Sequence, residues 1–356
     1  MALAHGLARR GRSVTVLDEG DVAHRASRGN FALIWVQGKG LALPAYADWT
    51  VRAATLWDDF AAEIGELTGV DIAYARRGGF HVCFNEAELA ERARRLSRLQ
   101  TQLAAAPVCE VLDRSAIKDR LPAVGPEVVG GTYCPADGHV NALRLFNALH
   151  EAAEVQGIRY VPNAAVSEIS PRARGVSIQT KLGNIHAHTV VLAAGLGNAR
   201  LAPMVGLDAP VRPQRGQIMV TEKVAPFLDY PLSTIRQTDE GGVMIGDSQE
   251  EVGFDSGNSS RVLGAIAARA VRTFPLLAQA RVVRSWGALR VMSKDGYPIY
   301  DRSTSVPDAY LVTCHSGVTL APIHAKVLAH HIADGTWPDD FMPFSAGRFG
   351  NVPQVG

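Results

Sequence analysis

The sequence predicts a mixed α/β (α+β) fold in which a domain of buried parallel strands interleaves with one of antiparallel sheet. Three observations carry this prediction. Short apolar, β-branched runs that read as buried strands, at 14–17, 189–192 and 309–313, lie far apart in the chain. Closely spaced strand patterns, at 159–187 and again from 211, fall between them. The chain has 356 residues, 47% of them hydrophobic, enough to bury the core of two domains or one large one.

In order along the chain, residues 2–10 place Leu3 and Leu7 four apart, with Ala4 and Ala8 on the neighbouring stripe, so that a helix can pack one face on a sheet. Gly11 ends it, and the strand at 14–17 finishes on Asp18 and Glu19. Helix, tight turn, apolar strand and acidic end is the sequel to a GxGxxG turn in a dinucleotide-binding unit, where a carboxylate holds the ribose hydroxyls. The same pattern also occurs in ordinary loops. The glycine-rich turn and its strand are absent from the sequence; the expectation is that they precede Met1, and that residues 1–356 alone bind a nucleotide cofactor poorly.

A long helix is expected over 46–64, with Trp49, Leu56, Trp57 and Phe60 inward, then two strands or one bent strand over 72–84. A charged helix at 86–105 reads as a solvated face. A strand at 128–133 and an amphipathic helix at 141–155, with Leu143, Leu145, Phe146 and Leu149, lead into a β-meander over 159–187. Strand patterns at 211–221 and 241–248, a helix at 260–274, a strand at 309–313, a helix at 323–332 and an irregular tail at 341–356 complete the chain.

The net charge is +1, which favours a small-molecule ligand over nucleic acid or an anionic membrane. Cys83, Cys109, Cys134 and Cys314 are widely spaced, unlike a metal or disulfide framework. His186 with His188, and His330 with His331, lack carboxylate or thiolate partners at ligand spacing, so no metal is expected. With no apolar run of eighteen residues and no signal-peptide pattern, the expected location is cytoplasmic, with membrane association through partner subunits left open.

Three stretches bear on chemistry. Gly195 follows a buried strand, where a missing side chain lets backbone approach a ligand. Ser27, Arg28, Gly29 and Asn30 offer hydroxyl, guanidinium and backbone donors to a pyrophosphate. The segment SWGALRVMSKDGYPIY carries Arg290 and a turn at Asp295 and Gly296, and YLVTCHSGVTLAP supplies a strand-to-helix loop. Each has a plainer reading as a turn or polar loop.

Together with the opening, these stretches resemble the amino-acid oxidase family of FAD enzymes, which contains glycine oxidase, sarcosine oxidase and D-amino-acid oxidase. The resemblance spans nearly the whole chain. Through VLDEGDVAHRASRGNFALIWVQGKG and VTCHSGVTLAP it is similar above all to the flavin subunits of opine oxidase, D-hydroxyproline dehydrogenase and hydrogen cyanide synthase. The resemblance implies an FAD cofactor in a Rossmann-like domain of segments 1–68, 138–206 and 284–340, with 69–137 and 207–283 forming the substrate domain. It implies that Asp18 holds the ribose, that Ser27, Arg28, Gly29 and Asn30 run beside the pyrophosphate and flavin, and that the Val166 backbone meets the adenine. Ala194 and Gly195 return to the cofactor, and His315, Ser316, Gly317, Val318 and Thr319 pass the flavin near N1 and O2. Arg290 clamps the substrate carboxylate; His315 reads as a hydrogen-bonding loop residue and Cys314 as a packed small one. The implied reaction is oxidation of the C–N bond of a small or N-substituted amino acid, of opine, proline-derivative or glycine type, to an imine, by a dehydrogenase subunit with other subunits as partners. An oxygen-using oxidase and a truncated, non-catalytic paralogue are the alternatives.

Overall fold

The computed structural model describes residues 1–20, 26–103 and 109–350. Residues 21–25 of the long motif, 104–105 of the expected charged helix and 351–356 of the tail lie outside the described residues. Seventeen strands are named here in chain order: β1 Thr15–Leu17, β2 Leu33–Ile34, β3 Gly79–Cys83, β4 Glu110–Asp113, β5 Gly130–Cys134, β6 Gly138–His139, β7 Arg159–Val161, β8 Val166–Pro171, β9 Val176–Thr180, β10 Gly183–Ala187, β11 Val190–Leu192, β12 Val211–Lys223, β13 Ile235–Gln237, β14 Gly242–Ile245, β15 Val282–Ser293, β16 Ile299–Arg302 and β17 Ala309–Thr313. The helices are α1 Ala2–Ala8, α2 Pro44–Thr55, α3 Trp57–Thr68, α4 Glu86–Gln102, α5 Arg114–Arg120, α6 Ala142–Val155, α7 Asn198–Leu201, α8 Ser260–Thr273, α9 Ala321–Ile323 and α10 Ala329–Asp334. None is long and apolar enough to cross a membrane.

Parallel pairing joins β1 to β7 and β11 to β17, with β16 antiparallel beside β17. The run β8, β9, β10 forms a separate antiparallel meander, as its tight strand spacing predicts. Strand β17 is buried throughout because apolar side chains fill both of its faces. Strand β1 differs from the sequence reading: it is parallel but only half-buried, since among the described residues β7 alone pairs with it. Helix α1 lies across the C-terminal helical run, where a Cβ on Gly6 would stand 2.0 Å from the Ala325 carbonyl oxygen. Only a hydrogen fits there. That run is irregular in its middle, with a π-helical stretch His324–Leu328 between α9 and α10.

The second layer is built on the sheet β13-β14-β12-β15. One face, carrying Met219, Ile235, Val243 and Ile245, packs on α8 through Ile266 and Ala270, with Phe80, Ile117 and Phe274 in the same core. The other face meets the segment that precedes β2: the Trp286 indole donates to the Gly29 carbonyl at 3.3 Å and the Arg236 guanidinium to the Phe31 carbonyl at 2.6 Å. The antiparallel sheet β3-β5-β4 stands beside it.

Several expected elements change. The helix at 46–64 is two, α2 and α3, broken at Leu56; both halves bury aromatics, Tyr46 and Trp49 in one and Trp57 and Phe60 in the other. The alternation at 72–84 yields the single strand β3, and Leu143 of α6 is 64% exposed because Leu145, Ala148 and Leu149 take the inward face. Helix α4 is solvated along most of its length, but Arg92 turns inward to Gln37 and Thr132. The tail is irregular yet packed: Phe341 and Phe344 are each 1% exposed and lie against Trp49 and Tyr300.

Candidate active site

Ligands of open α/β sheets bind beyond the carboxyl ends of the parallel strands. Three of those ends carry the residues singled out in the sequence. Asp18 follows β1, Ala194 and Gly195 follow β11, and Cys314 to Thr319 follow β17. Asp18 Oδ1 accepts from the Gly20 amide at 2.9 Å, and its carbonyl accepts from Ala164 two residues before Val166, so Asp18 and Val166 share one end of the site. The Val166 carbonyl is taken by Arg200 at 2.7 Å. Gly195 adopts φ +59°, a left-handed conformation that glycine holds without strain. Beside it the Asn198 side-chain oxygen accepts from the Ala194 amide at 3.0 Å, while Asn198 Nδ2 and, at the end of β17, Thr313 Oγ1 are buried with no hydrogen-bond partner among the described residues. Orphaned polar atoms at strand ends fit a polar cofactor such as FAD.

Ser27 and Arg28 are exposed, Gly29 is buried, and the Asn30 side chain closes a turn on the Ala32 amide at 2.5 Å. Arg28 stands over the Phe146 ring. From Ala32 the chain runs through β2 to Gly40 and is tied down in two places. Thr319 accepts from the Trp35 amide and donates to the Leu33 carbonyl, both at 3.2 Å. Asp137, fully buried, accepts from the Val36 amide at 2.6 Å and from the Gln37 side chain at 2.7 Å. Burial pushes the Asp137 carboxyl up to about 7, against these donors and Arg92.

On the sheet side, Arg290 of β15 lies opposite Gln214 and beside Gly216 of β12. A Cβ on Gly216 would come 2.4 Å from the guanidinium, so the glycine makes the space that Arg290 occupies. Arg290 Nη2 pairs with Asp247 Oδ2 at 2.7 Å and Nη1 donates to the Ser248 carbonyl at 2.7 Å. A planar guanidinium with five donors keeps N–H groups for a carboxylate after these bonds.

In the 315–319 loop a cluster is centred on the Ser316 hydroxyl, and Arg290 lies within electrostatic range of its Lys39 and His315. The hydroxyl contacts Lys39 Nζ at 3.0 Å, the Tyr46 hydroxyl at 3.1 Å and His315 Nδ1 at 3.2 Å. Burial, with the cations Lys39 and Arg290, drives His315 down to about 3, so its ring is neutral. Burial also raises the Tyr46 phenol far above its usual range and the Cys314 thiol to about 12, so both keep their protons. Burial lowers Lys39 to about 8, opposed by Asp137, assisted by Arg290, and opposed again by Asp247. These directions order the protons: Tyr46 and Lys39 donate to Ser316, and Ser316 donates to Nδ1 of His315, leaving the imidazole proton on Nε2 as a donor. Cys314 is thus a packed, inert thiol.

The structure therefore brings Arg290, His315 and Ser316 together, and gives Thr319 a tethering place beside β2. Val318 packs into the apolar core, and Gly317 has open space around its Cα. Lys39, Tyr46, Gly216, Asp247 and Asp137 were not singled out in the sequence. Lys39 stands in the stretch ALIWVQGKG, where a lone lysine between glycines at the end of an apolar run was the available signal. No group of side chains suited to a metal ion occurs among the described residues.

The family model described as FAD dependent oxidoreductase matches residues 1–331. One opine oxidase subunit, from Agrobacterium tumefaciens (strain Ach5), is 47% identical over 349 residues, covering 98% of this chain and 94% of that protein. Hydrogen cyanide synthase subunit HcnC of Pseudomonas aeruginosa is 30% identical, over 87% of this chain and 76% of its own. Among solved structures, glycine oxidase from Bacillus cereus superposes with a TM-score of 0.87 at 23% identity, covering 96% of this chain and 94% of that one.

Proposed function

This chain belongs to the FAD-dependent oxidoreductase family, and from that premise we propose that its Arg290 holds the carboxylate of an amino-acid substrate whose C–N bond the enzyme oxidises. The observation that carries the role of Arg290 is its setting. A guanidinium is seated by Gly216 and Asp247 on the sheet β13-β14-β12-β15 and lies within electrostatic range of His315 in the loop after β17. For the two layers we propose 1–68, 138–206 and 294–340 against 69–137 and 207–293, because the boundary expected at 284 falls inside β15, which pairs with β12 along its length.

When bound, FAD supplies the two-electron acceptor for the hydride. Asp18, Ser27, Arg28, Gly29, Asn30, Val166, Ala194, Gly195 and the 315–319 loop would hold it. The protein's own part is positioning. Arg290 fixes the carboxylate, and Asp247 fixes Arg290, so the substrate Cα–H is aimed and its freedom is lost before the reaction. The substrate loses a hydride from carbon and a proton from nitrogen to become an imine, and water then splits the imine into an oxo compound and an amine. His315 is neutral with Nδ1 engaged by Ser316, so it takes no proton and offers Nε2–H as a fixed donor.

The substrate class we favour is the opine type, an amino acid whose nitrogen carries a second carboxyalkyl group. Identity of 47% across the length of a protein named for such compounds supports it. Relatives named as subunits support a flavin subunit that hands electrons to a partner chain. Purified protein given an opine should reduce an artificial dye faster than it forms peroxide; peroxide formed in step with substrate loss would make it an oxidase. Arg290→Ala should raise KM and lower kcat together, by roughly 2 to 5 kcal/mol in kcat/KM, the scale of a desolvated charge pair. Unchanged kinetics on a carboxylate substrate would remove Arg290 from this role.

A further inference from the structure

Lys39 is a cation in the site that the reaction as described leaves without work. Among the described residues the one hydrogen-bond partner of its ammonium is the Ser316 hydroxyl, and that oxygen also accepts from Tyr46 while donating to His315. Ser316 thus takes one ammonium hydrogen, and the other two find no partner among the described residues at this half-buried position. Lys39 also lies within electrostatic range of Arg290, Asp247 and Cys314.

The charges make the mismatch specific. Asp137 is held by the Val36 and Gln37 donors, and His315, Tyr46 and Cys314 are neutral. Of the charged groups beside Lys39, Arg290 and Asp247 are paired with each other, which leaves the Lys39 ammonium as the excess. A simple amino acid enters as a zwitterion of no net charge and leaves that excess in place. A zwitterion with a second carboxylate cancels it.

We propose that Lys39 anchors a second carboxylate, so that the substrate is a secondary amine bearing a carboxylate on each side of its nitrogen, one held by Arg290 and the other by Lys39. This rests on Arg290 holding the first carboxylate, as argued above. It makes Lys39 the residue that separates doubly from singly carboxylated amines.

Two sulfur analogues that cannot form an imine test it: thiodiacetate, with two carboxylates, and (methylthio)acetate, with one. Calorimetry on the flavin-loaded protein should show thiodiacetate binding more tightly by about tenfold or more, the scale of one charge-assisted contact. In Lys39→Met, and in Lys39→Gln as a second variant, thiodiacetate should fall to the affinity of (methylthio)acetate, whose own binding stays within about twofold and shows that the site is intact. Lys39→Arg should recover part of the difference. Equal affinity for the two analogues in the native protein, failure of either to bind it, or an equal loss of both in the Lys39 variants would overturn the proposal. If instead both analogues bind Arg290→Ala as they bind the native protein, the reading of Arg290 has failed.

Discussion

At the scale of single residues, the site is organised by what one side chain leaves to another. Gly216 is the plainest case, since a methyl group there would strike the guanidinium of Arg290 and not backbone. Gly216→Ala should therefore fold normally, with Tm little changed, but raise KM for a carboxylate substrate by roughly tenfold because the displaced arginine loses its aim. A normal KM would show that Arg290 adapts. Lys39 gives a pH signature. Its folded pKa of about 8 lies below the ordinary 10.5, so between those values the unfolded chain binds the extra proton and stability rises with pH. Lys39→Met should abolish that rise, measurable as Tm between pH 8 and 10.5. Binding of a dicarboxylate needs the ammonium and so should weaken as pH climbs through about 8. Arg290 and Gly195 were singled out in the sequence, Arg290 through the place the family resemblance gives it and Gly195 as a glycine after a buried strand. Lys39, Asp247 and Tyr46 were not, since each acquires its role from partners on distant segments.

At the scale of elements, periodicity and glycine spacing located most strands and helices but missed where the chain breaks or turns back. Leu56 gave no helix-breaking signal, yet α2 and α3 separate there to bury Trp49 and Trp57 in different clusters. Helix α4 read as a solvated charge run because nothing in the sequence distinguishes Arg92 from its exposed neighbours; burial came from Gln37 and Thr132, 55 and 40 residues away. Two element contacts invite substitution. Gly6→Ala places a methyl into backbone, with no flexible atom to yield, and should cost roughly 1 to 3 kcal/mol of stability by forcing α1 off the C-terminal helices. Asp137→Asn puts an amide donor against the Gln37 amide or strips a backbone bond, leaving the segment from β2 to Gly40 loosely held. Its expected result is lower Tm and weaker flavin retention, read by flavin absorbance after gel filtration. Full retention would show that Thr319 alone suffices to hold the segment.

At the scale of the whole molecule, the mixed architecture was legible because parallel runs and antiparallel meanders alternate along the chain, which forces segments remote in sequence to share a layer. The C-terminal region was less legible. Glycine, proline and phenylalanine at 341–350 suggested a loose end, but Phe341 and Phe344 complete an aromatic cluster with Trp49 and Tyr300, and Arg348 pairs with Asp295 at 2.8 Å. Removal of 341–350 should therefore lower Tm by several degrees, as the loss of two buried aromatics in a large chain requires.

Strand β15 belongs to both layers at once. Arg290 stands where we propose that the substrate carboxylate binds, and the next residue, Val291, lies where its Cγ2 would be 3.3 Å from a Cβ on Gly195, at the strand end that fits the cofactor. Anything that fixes one side chain fixes the peptide unit that carries the other. Thermodynamic reciprocity then applies to the pair: whatever factor a bound carboxylate adds to the affinity for FAD, FAD returns to the affinity for the carboxylate.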